Sequence, residues 1–323
     1  MIVTVTANPS MDRTVALPGP LTRGSVIRAL SSRQEPGGKG VNVSRAVHLA
    51  GASTLAVVPA RPGDPLLVAL AATGLPVDAV TVSDEVRSNV TVTEPDGTTT
   101  KLNLLGAGIG PDELGVLTRT VLTHARTADW VAVCGSLPPG VPVDWYREVL
   151  TALRDVDCRT ALDTSDRPLA EVAAGFPDSS PDLLKPNAHE LAGLVGVNGD
   201  DLENAAAQGD PGPALAAAGE LARLSGSCVL ATLGSAGALL LTGSGSWYAS
   251  PPSIVPLSTV GAGDSSLAGY LIAAARDAPP AECLRTAVAY GAAAAALPGT
   301  QPPTTAQLRL ADVAVVELTP GAA

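Results

Sequence analysis

The sequence predicts an α/β fold: a mostly parallel sheet covered by helices on both faces, with a small β appendage drawn from the first third of the chain. Three observations lead there. After Pro111, apolar strand-like runs alternate with amphipathic helical segments, the texture of βαβ crossovers. Before it, the strand-like runs are less apolar and are punctuated by Pro95-Asp96-Gly97, as expected of strands with one solvated face. Hydrophobic residues make up 46% of 323 positions and aromatics only 2%, so a large core must be built from Val, Leu, Ile and Ala.

Met1–Ala7 reads as a strand alternating Ile/Val with Thr. Ser25–Glu35 and Asn89–Leu104 read as antiparallel strands, the second a hairpin, and between them Pro36–Asn42 forms a Gly-rich turn into a helix over Val43–Leu49. The later strands are Trp130–Cys134, Arg159–Leu162, Leu183–Lys185 and Cys228–Leu233. Their helices are Val143–Leu153, Pro168–Ala174, His189–Val195 and Pro213–Leu224, and the chain closes with helices over Ala262–Arg276 and Pro280–Leu297. No long linker or repeat interrupts this, so residues 1–323 are expected to form a single unit.

A net charge of -11 argues against general nucleic-acid binding and against docking on anionic membranes. The N-terminus lacks a basic leader, and the Ala292–Ala296 run is broken by Gly291 and Pro298, so neither a signal peptide nor a membrane helix is expected and the cytoplasm is the default. Cys134, Cys158, Cys228 and Cys283 lie far apart without metal-site spacing and read as free thiols. His48, His124 and His189 show neither HExxH nor paired metal spacing. No hydrolase triad is identifiable. Gly106-Ala107-Gly108-Ile109-Gly110 does not fit a dinucleotide fingerprint.

In open α/β sheets, ligands bind at the carboxyl ends of the strands, so the loops there carry the chemistry. Thr259-Val260-Gly261-Ala262-Gly263-Asp264-Ser265 opens a helix. Its glycines let backbone N–H groups converge on an anion, and Asp264 can accept a hydroxyl proton or simply cap the helix. Pro36-Gly37-Gly38-Lys39-Gly40-Val41-Asn42 is a second such turn and is not a Walker A loop, because Gly40 follows the lysine. Asp12, after the first strand, can accept bonds from two sugar hydroxyls or belong to a turn with Asn8 and Pro9. In Lys185-Pro186-Asn187-Ala188-His189-Glu190, Glu190 can complement the helix dipole or help place Mg²⁺ through water beside Asn187. Thr232-Leu233-Gly234-Ser235-Ala236-Gly237 suits a nucleotide or a plain hairpin, and Gly135-Ser136 ends a strand where a substrate can lie.

Seven motifs in order, TANPSMD, PGGKGVNVSRA, VRSNVTV, CGSLPPG, LLKPNAHEL, TLGSAGALL and LSTVGAGDSSLAG, run over nearly the whole chain. With them the sequence resembles the PfkB (ribokinase-like) carbohydrate kinases, in their hexose-phosphate branch. The resemblance implies a three-layer αβα ribokinase-like core with a β-sheet lid from about 12–35 and 87–105, a lid that in this branch often forms a dimer contact. It implies Asp264 as general base with Gly261, Ala262 and Gly263 as anion hole. Asp12, Gly38 and Asn42 would hold sugar hydroxyls, with Ser136 nearby. Arg87, helped by Lys39 and Arg28, would bind the sugar's phosphate, which gives local attraction inside an acidic molecule. ATP would meet Lys185, Asn187, Glu190, Thr232, Gly234 and Gly237, with Mg²⁺ near Asn187 and Glu190. The motif wording favours fructose 1-phosphate as acceptor, with fructose 6-phosphate and tagatose 6-phosphate as alternatives. Two departures stand out: Pro59–Pro65 lacks the fuller glycine pattern usual before the next helix, and Thr232 replaces a commoner serine.

Overall fold

The structure, a computed structural model, describes residues 1–318. Strand β1 (Ile2–Thr6) leads through Ala7–Pro9 into β2 (Ser10–Ala16), and β3 (Ser31–Gly37) runs straight into α1 (Lys39–Leu49). Then come β4 (Thr54–Ala60), α2 (Pro65–Ala72), β5 (Val77–Thr81), β6 (Arg87–Thr93), β7 (Thr99–Leu102) and α3 (Pro111–Ala125). The alternating part holds β8 (Trp130–Cys134), α4 (Trp145–Leu153), β9 (Arg159–Asp163), α5 (Asp166–Ala174), β10 (Leu183–Leu184), α6 (Ala188–Val195), α7 (Gly199–Ala207) and α8 (Gly212–Ser225). Strands β11 (Cys228–Thr232), β12 (Ala238–Thr242) and β13 (Gly245–Ser250) precede α9 (Ala262–Ala274), α10 (Pro280–Ala295) and β14 (Ala314–Leu318).

Ten strands form one sheet in the order β14-β13-β12-β11-β10-β9-β8-β1-β4-β5. From β11 to β5 every pairing is parallel, and the three pairings beyond β11 are antiparallel. Period-two alternation sends neighbouring side chains to opposite faces. Val3, Val5, Val131, Val133, Leu162 and Val229 pack with residues of α3, α4, α6 and α8. Ile2, Ala132, Ala161, Leu183 and Leu230 pack with α1, α9 and α10 on the other side. Two separate cores on one sheet make three layers.

The threonines of β1 face a helix, not water. Thr4 Oγ1 lies 2.7 Å from Ser44 Oγ on α1, Ser44 Oγ lies 3.0 Å from Thr54 Oγ1, and Thr54 Oγ1 donates to the Ile2 carbonyl. These three buried hydroxyls partner one another, so polar alternation survives here in a dry layer, whereas the buried Thr6 Oγ1 at the end of β1 has no partner among the described residues.

The four strands β3-β2-β6-β7 form a second, small sheet. Two expectations change here. Its middle pair, β2 with β6, is parallel, because the chain crosses the large sheet between them and re-enters in the same direction, while the flanking pairs are antiparallel. The strand expected from Ser25 begins only at Ser31. Its partner β2 ends at Ala16, before Pro18 and Pro20; Leu30 N–H still donates to the Ala16 carbonyl, but Ser25–Ala29 have no ladder to join and stay irregular and largely exposed, Arg28 included.

Candidate active site

The carboxyl ends of β1, β8, β9 and β10 lie on one edge of the parallel sheet, where α1 and α9 begin. Glycine brings α1 there. Gly38 caps the helix at φ 106°, and a methyl on it would sit 2.8 Å from Thr6 Cγ2, so only glycine lets the turn lie on the end of β1. Asn42, in the first turns of α1, is then 6% exposed. Gly261 plays the matching part for α9, turning the chain in the left-handed conformation so that Ala262, Gly263 and Asp264 form the first turn.

These two turns, 222 residues apart at their nearest polar contact, meet directly: Asn42 Nδ2 donates to Asp264 Oδ2 at 2.8 Å. Asp264 is 8% exposed. Burial, and then the negative charge of Asp163, pushes its carboxyl up to about 6, against the pull of Lys39, the Asn42 hydrogen bond and Lys185. A carboxylate raised toward neutral pH suits a proton acceptor.

Two lysines lie beside it. Lys39, the first residue of α1, places Nζ 2.6 Å from Asp163 Oδ1, and Lys185 Nζ lies 3.1 Å from Asp163 Oδ2. Burial disfavours the Lys39 charge, but Asp163, Asp264 and Glu190 outweigh it and hold the ammonium above its usual range. Asp163 is likewise opposed by burial, and Lys185 and Lys39 overcome that to keep its carboxyl below the usual range. Gly263 is so close to Lys185 that a methyl on it would lie 3.5 Å from Nζ. The anion-hole turn and the KPN segment are therefore neighbours.

At the lid end, Asp12 lies on β2, where Oδ1 accepts from Ser10 Oγ at 2.8 Å and from Asn89 Nδ2 at 3.0 Å. Arg87, on the adjacent β6, donates to the carbonyls of Asn8 and Leu104 and reaches Ser136 Oγ at 3.5 Å. Burial pushes its guanidinium below the usual range, with Asp12 opposing. Asn8 Nδ2 also donates to Ser136 Oγ at 3.2 Å, so Arg87 and Ser136 share one corner with Asn8. Arg28 makes no hydrogen bond or ion pair among the described residues and stands apart from this group.

On the far side, Asn187 and Glu190 form a reciprocal cap at the start of α6: Glu190 N–H donates to Asn187 Oδ1 and Asn187 N–H to Glu190 Oε2, both at 2.8 Å. Thr232 ends β11 beside them, bridged to Asn187, with its N–H donating to the Pro186 carbonyl. Gly234 and Gly237 bound the turn into β12. Gly237 also has a packing reason, since a methyl on it would fall 2.0 Å from the Ala249 carbonyl oxygen.

Two residues of this site escaped the sequence reading. Asp163 is the acidic residue that closes an apolar strand, the same signal that drew attention to Asp12. Arg45 stands one helical turn after Asn42 in the PGGKGVNVSRA segment, and its guanidinium donates to the carbonyls of Pro36 and Thr300 and to Asn42 Oδ1. It ties β3, α1 and the loop after α10 together.

A buried carboxylate at a helix N-terminus with two ammonium groups close by is the equipment of a phosphotransferase with an alcohol acceptor. The family comparison agrees: the model described as pfkB family carbohydrate kinase matches residues 6–307, and the chain belongs to that family. Among curated relatives, 1-phosphofructokinase of Rhodobacter capsulatus is 35% identical, covering 90% of this chain and 88% of its own. The ATP-dependent 6-phosphofructokinase isozyme 2 of Escherichia coli is 32% identical over 93% of this chain and 94% of its own. Among solved structures, phosphofructokinase-2 of Escherichia coli in complex with substrates and products superposes with a TM-score of 0.85, at 30% identity, covering 95% of this chain and 96% of that one. No described helix is long and apolar enough to cross a membrane.

Proposed function

We infer that the enzyme transfers the γ-phosphoryl group of ATP to the 6-hydroxyl of fructose 1-phosphate, giving fructose 1,6-bisphosphate and ADP. The observation that carries this is the Asn42–Asp264 contact, which brings the carboxylate that opens α9 to the turn that opens α1. The hydroxyl O–H bond breaks toward Asp264 as the new O–P bond forms and the bond to the β-phosphate oxygen breaks. Backbone N–H groups of Gly261, Ala262 and Gly263 meet the charge on the phosphoryl oxygens. Asp12, Gly38 and Asn42 orient the sugar, while Arg87 and Ser136 take its resident phosphate. Lys185, Asn187, Glu190, Thr232, Gly234 and Gly237 line the nucleotide's side. Closure of the lid excludes water that would compete for the phosphoryl group.

Mg²⁺ would neutralise charge on the nucleotide phosphates when bound. The residues fit such an ion: Asn187 Oδ1 and Glu190 Oε2 are engaged in their cap, leaving Glu190 Oε1, and no group of three His, Cys, Asp or Glu that could cage a metal occurs among the described residues. Sparse protein ligation matches an ion held mainly by phosphate oxygens and water. Glu190, and Asn187 through water, would hold it.

A coupled ADP-release assay across fructose 1-phosphate, fructose 6-phosphate, tagatose 6-phosphate and ribose tests this reading. The highest kcat/KM is expected with fructose 1-phosphate, and no turnover on any of the four defeats it. In the same assay, Arg87→Ala should raise the KM for the sugar phosphate at least ~10-fold, the scale of one lost charge-assisted contact, with the KM for ATP little changed. An unchanged sugar-phosphate KM would give the phosphate to another cation.

A homodimer through the lid belongs to the same reading. It is supported by apolar side chains left open on and beside the small sheet, Leu30 (70% exposed), Leu102 (57%) and Leu104 (56%). Light scattering at micromolar concentration should give twice the chain mass, and Leu102→Asp should halve it; a monomer in the unsubstituted protein removes this part of the proposal.

A further inference from the structure

Asp163 is fully buried beside Asp264's turn, yet no step described above uses it. It closes β9, and its carbonyl accepts the Gly135 N–H at 2.8 Å, so its backbone is held by the next strand's exit turn. Its carboxylate has one lysine at each oxygen: Lys39 from α1 donates to Oδ1, and Lys185 from the end of β10 lies within ion-pair distance of Oδ2 without a hydrogen bond. Each lysine in turn touches a different half of the transfer machinery. Lys39 starts the turn whose Asn42 holds Asp264, and Lys185 packs on Gly263 of the anion turn.

Lysine is a point charge on a flexible four-carbon stem. Two of them help a transferring phosphoryl group only if their positions are set in advance. We propose that Asp163 is a positioning residue, holding the Lys39 and Lys185 ammonium groups beside Asp264 so that Lys39 serves the transferring phosphoryl group and not the phosphate already on the sugar. The charges balance accordingly. Two carboxylates and two ammoniums are neutral together before transfer, and when Asp264 takes the hydroxyl proton the cluster becomes positive as the phosphoryl oxygens crowd against it. The charge neighbours of the two candidate phosphate-binding cations point the same way: Lys39 feels Asp163, Asp264 and Glu190, whereas Arg87 feels Asp12 at the lid. The inference rests on the kinase reading above.

The test compares the unsubstituted enzyme with Asp163→Asn, Lys39→Met and the double variant in kcat and KM from pH 5 to 9. The charged or hydrogen-bonding groups facing Asp264 are Asn42 and Lys39 from α1, Asp163 from β9 and Lys185 after β10. Asp163→Asn removes a negative neighbour and should move the acid limb of kcat to lower pH; Lys39→Met removes a positive one and should move it to higher pH. Both should lower kcat by roughly 10–10²-fold, with sugar-phosphate KM within about 3-fold, as for lost transition-state stabilisation. The double variant should be no worse than the poorer single within about 3-fold, since the aspartate acts through the lysine. If Asp163→Asn does not fold, Lys39→Met decides alone through its limb and its KM. Sugar-phosphate KM raised tenfold in Lys39→Met with kcat intact would overturn the proposal. So would identical acid limbs in both variants, or Asp163→Asn turnover restored by saturating Mg²⁺. An unsubstituted enzyme that phosphorylates none of the sugars defeats the kinase reading itself, and this inference with it.

Discussion

Asp264→Asn should reduce kcat at least ~10²-fold, the usual loss on removing a general base, while ATP affinity changes little. The substitution keeps the size of the side chain and a hydrogen-bonding partner for Asn42, so the loss isolates proton acceptance from packing. Near-normal turnover in steady-state assays would refute the assignment. The same variant carries a second, independent signature. In the folded protein burial and Asp163 push the carboxyl up to about 6, above its unfolded value, so folding favours the protonated form. This group therefore withdraws stability as pH rises from the unfolded value through about 6, and nothing is withdrawn at lower pH. Asparagine escapes that cost. Denaturation midpoints should show Asp264→Asn more stable than the unsubstituted protein by on the order of 1–3 kcal/mol at pH 8, with the difference vanishing near pH 4. A less stable variant at pH 8 would mean that the carboxylate is better paired than its surroundings suggest.

Gly40→Ala should be nearly as damaging to activity, and for a reason remote from chemistry. A methyl on Gly40 would stand 2.4 Å from Thr6 Oγ1 and 2.9 Å from the Val5 carbonyl oxygen. The Val5 carbonyl is backbone of a central strand and cannot yield, so even if the Thr6 hydroxyl turns aside α1 must lift off β1, and Lys39 and Asn42 move with it. Overpacking of this kind costs about 1–3 kcal/mol. Displacing a positioned group by about 1 Å can cost ~10²-fold in rate. Gly193 on α6 provides the contrast: nothing lies within 4 Å of a methyl there, so Gly193→Ala should leave kcat alone and raise the denaturation midpoint slightly, by about 0.5–1 kcal/mol of helix propensity. Equal midpoints for the two variants would show that α1 has slack against β1.

The elements read from the chain lie close to those observed wherever periodicity was strong. Helix α10 was expected over Pro280–Leu297 and spans Pro280–Ala295, and the strand expected over Trp130–Cys134 is β8. The misses have local causes. Strand β2 is legible only through the lid that the resemblance implies from about 12: Asp12 and Arg13 interrupt any apolar pattern, and its ladder partners β3 and β6 come from elsewhere in the chain. Ser25–Ala29 look extended but find no strand to pair with. Candidate residues could be picked out because glycine clusters, strand-end acids and helix starts leave marks in the sequence. Asp163 left only the faint mark of one acid after four strand residues, and what distinguishes it, two lysines from separate elements, lies in no local stretch.

The sequence alone determined the layered α/β class, the order of its crossovers and the two glycine turns from which a carboxylate and a lysine would act, since these follow from periodicity and backbone conformation over a few residues. Tertiary structure decided which of those groups meet. Asn42 reaches Asp264, Lys39 turns to Asp163, Arg87 joins Asn8 and Ser136, and Arg28 is left in solvent. Contacts across 222 or 124 positions depend on where each strand sits in the sheet, and strand order is set by the packing of the two apolar faces together. No local stretch encodes it.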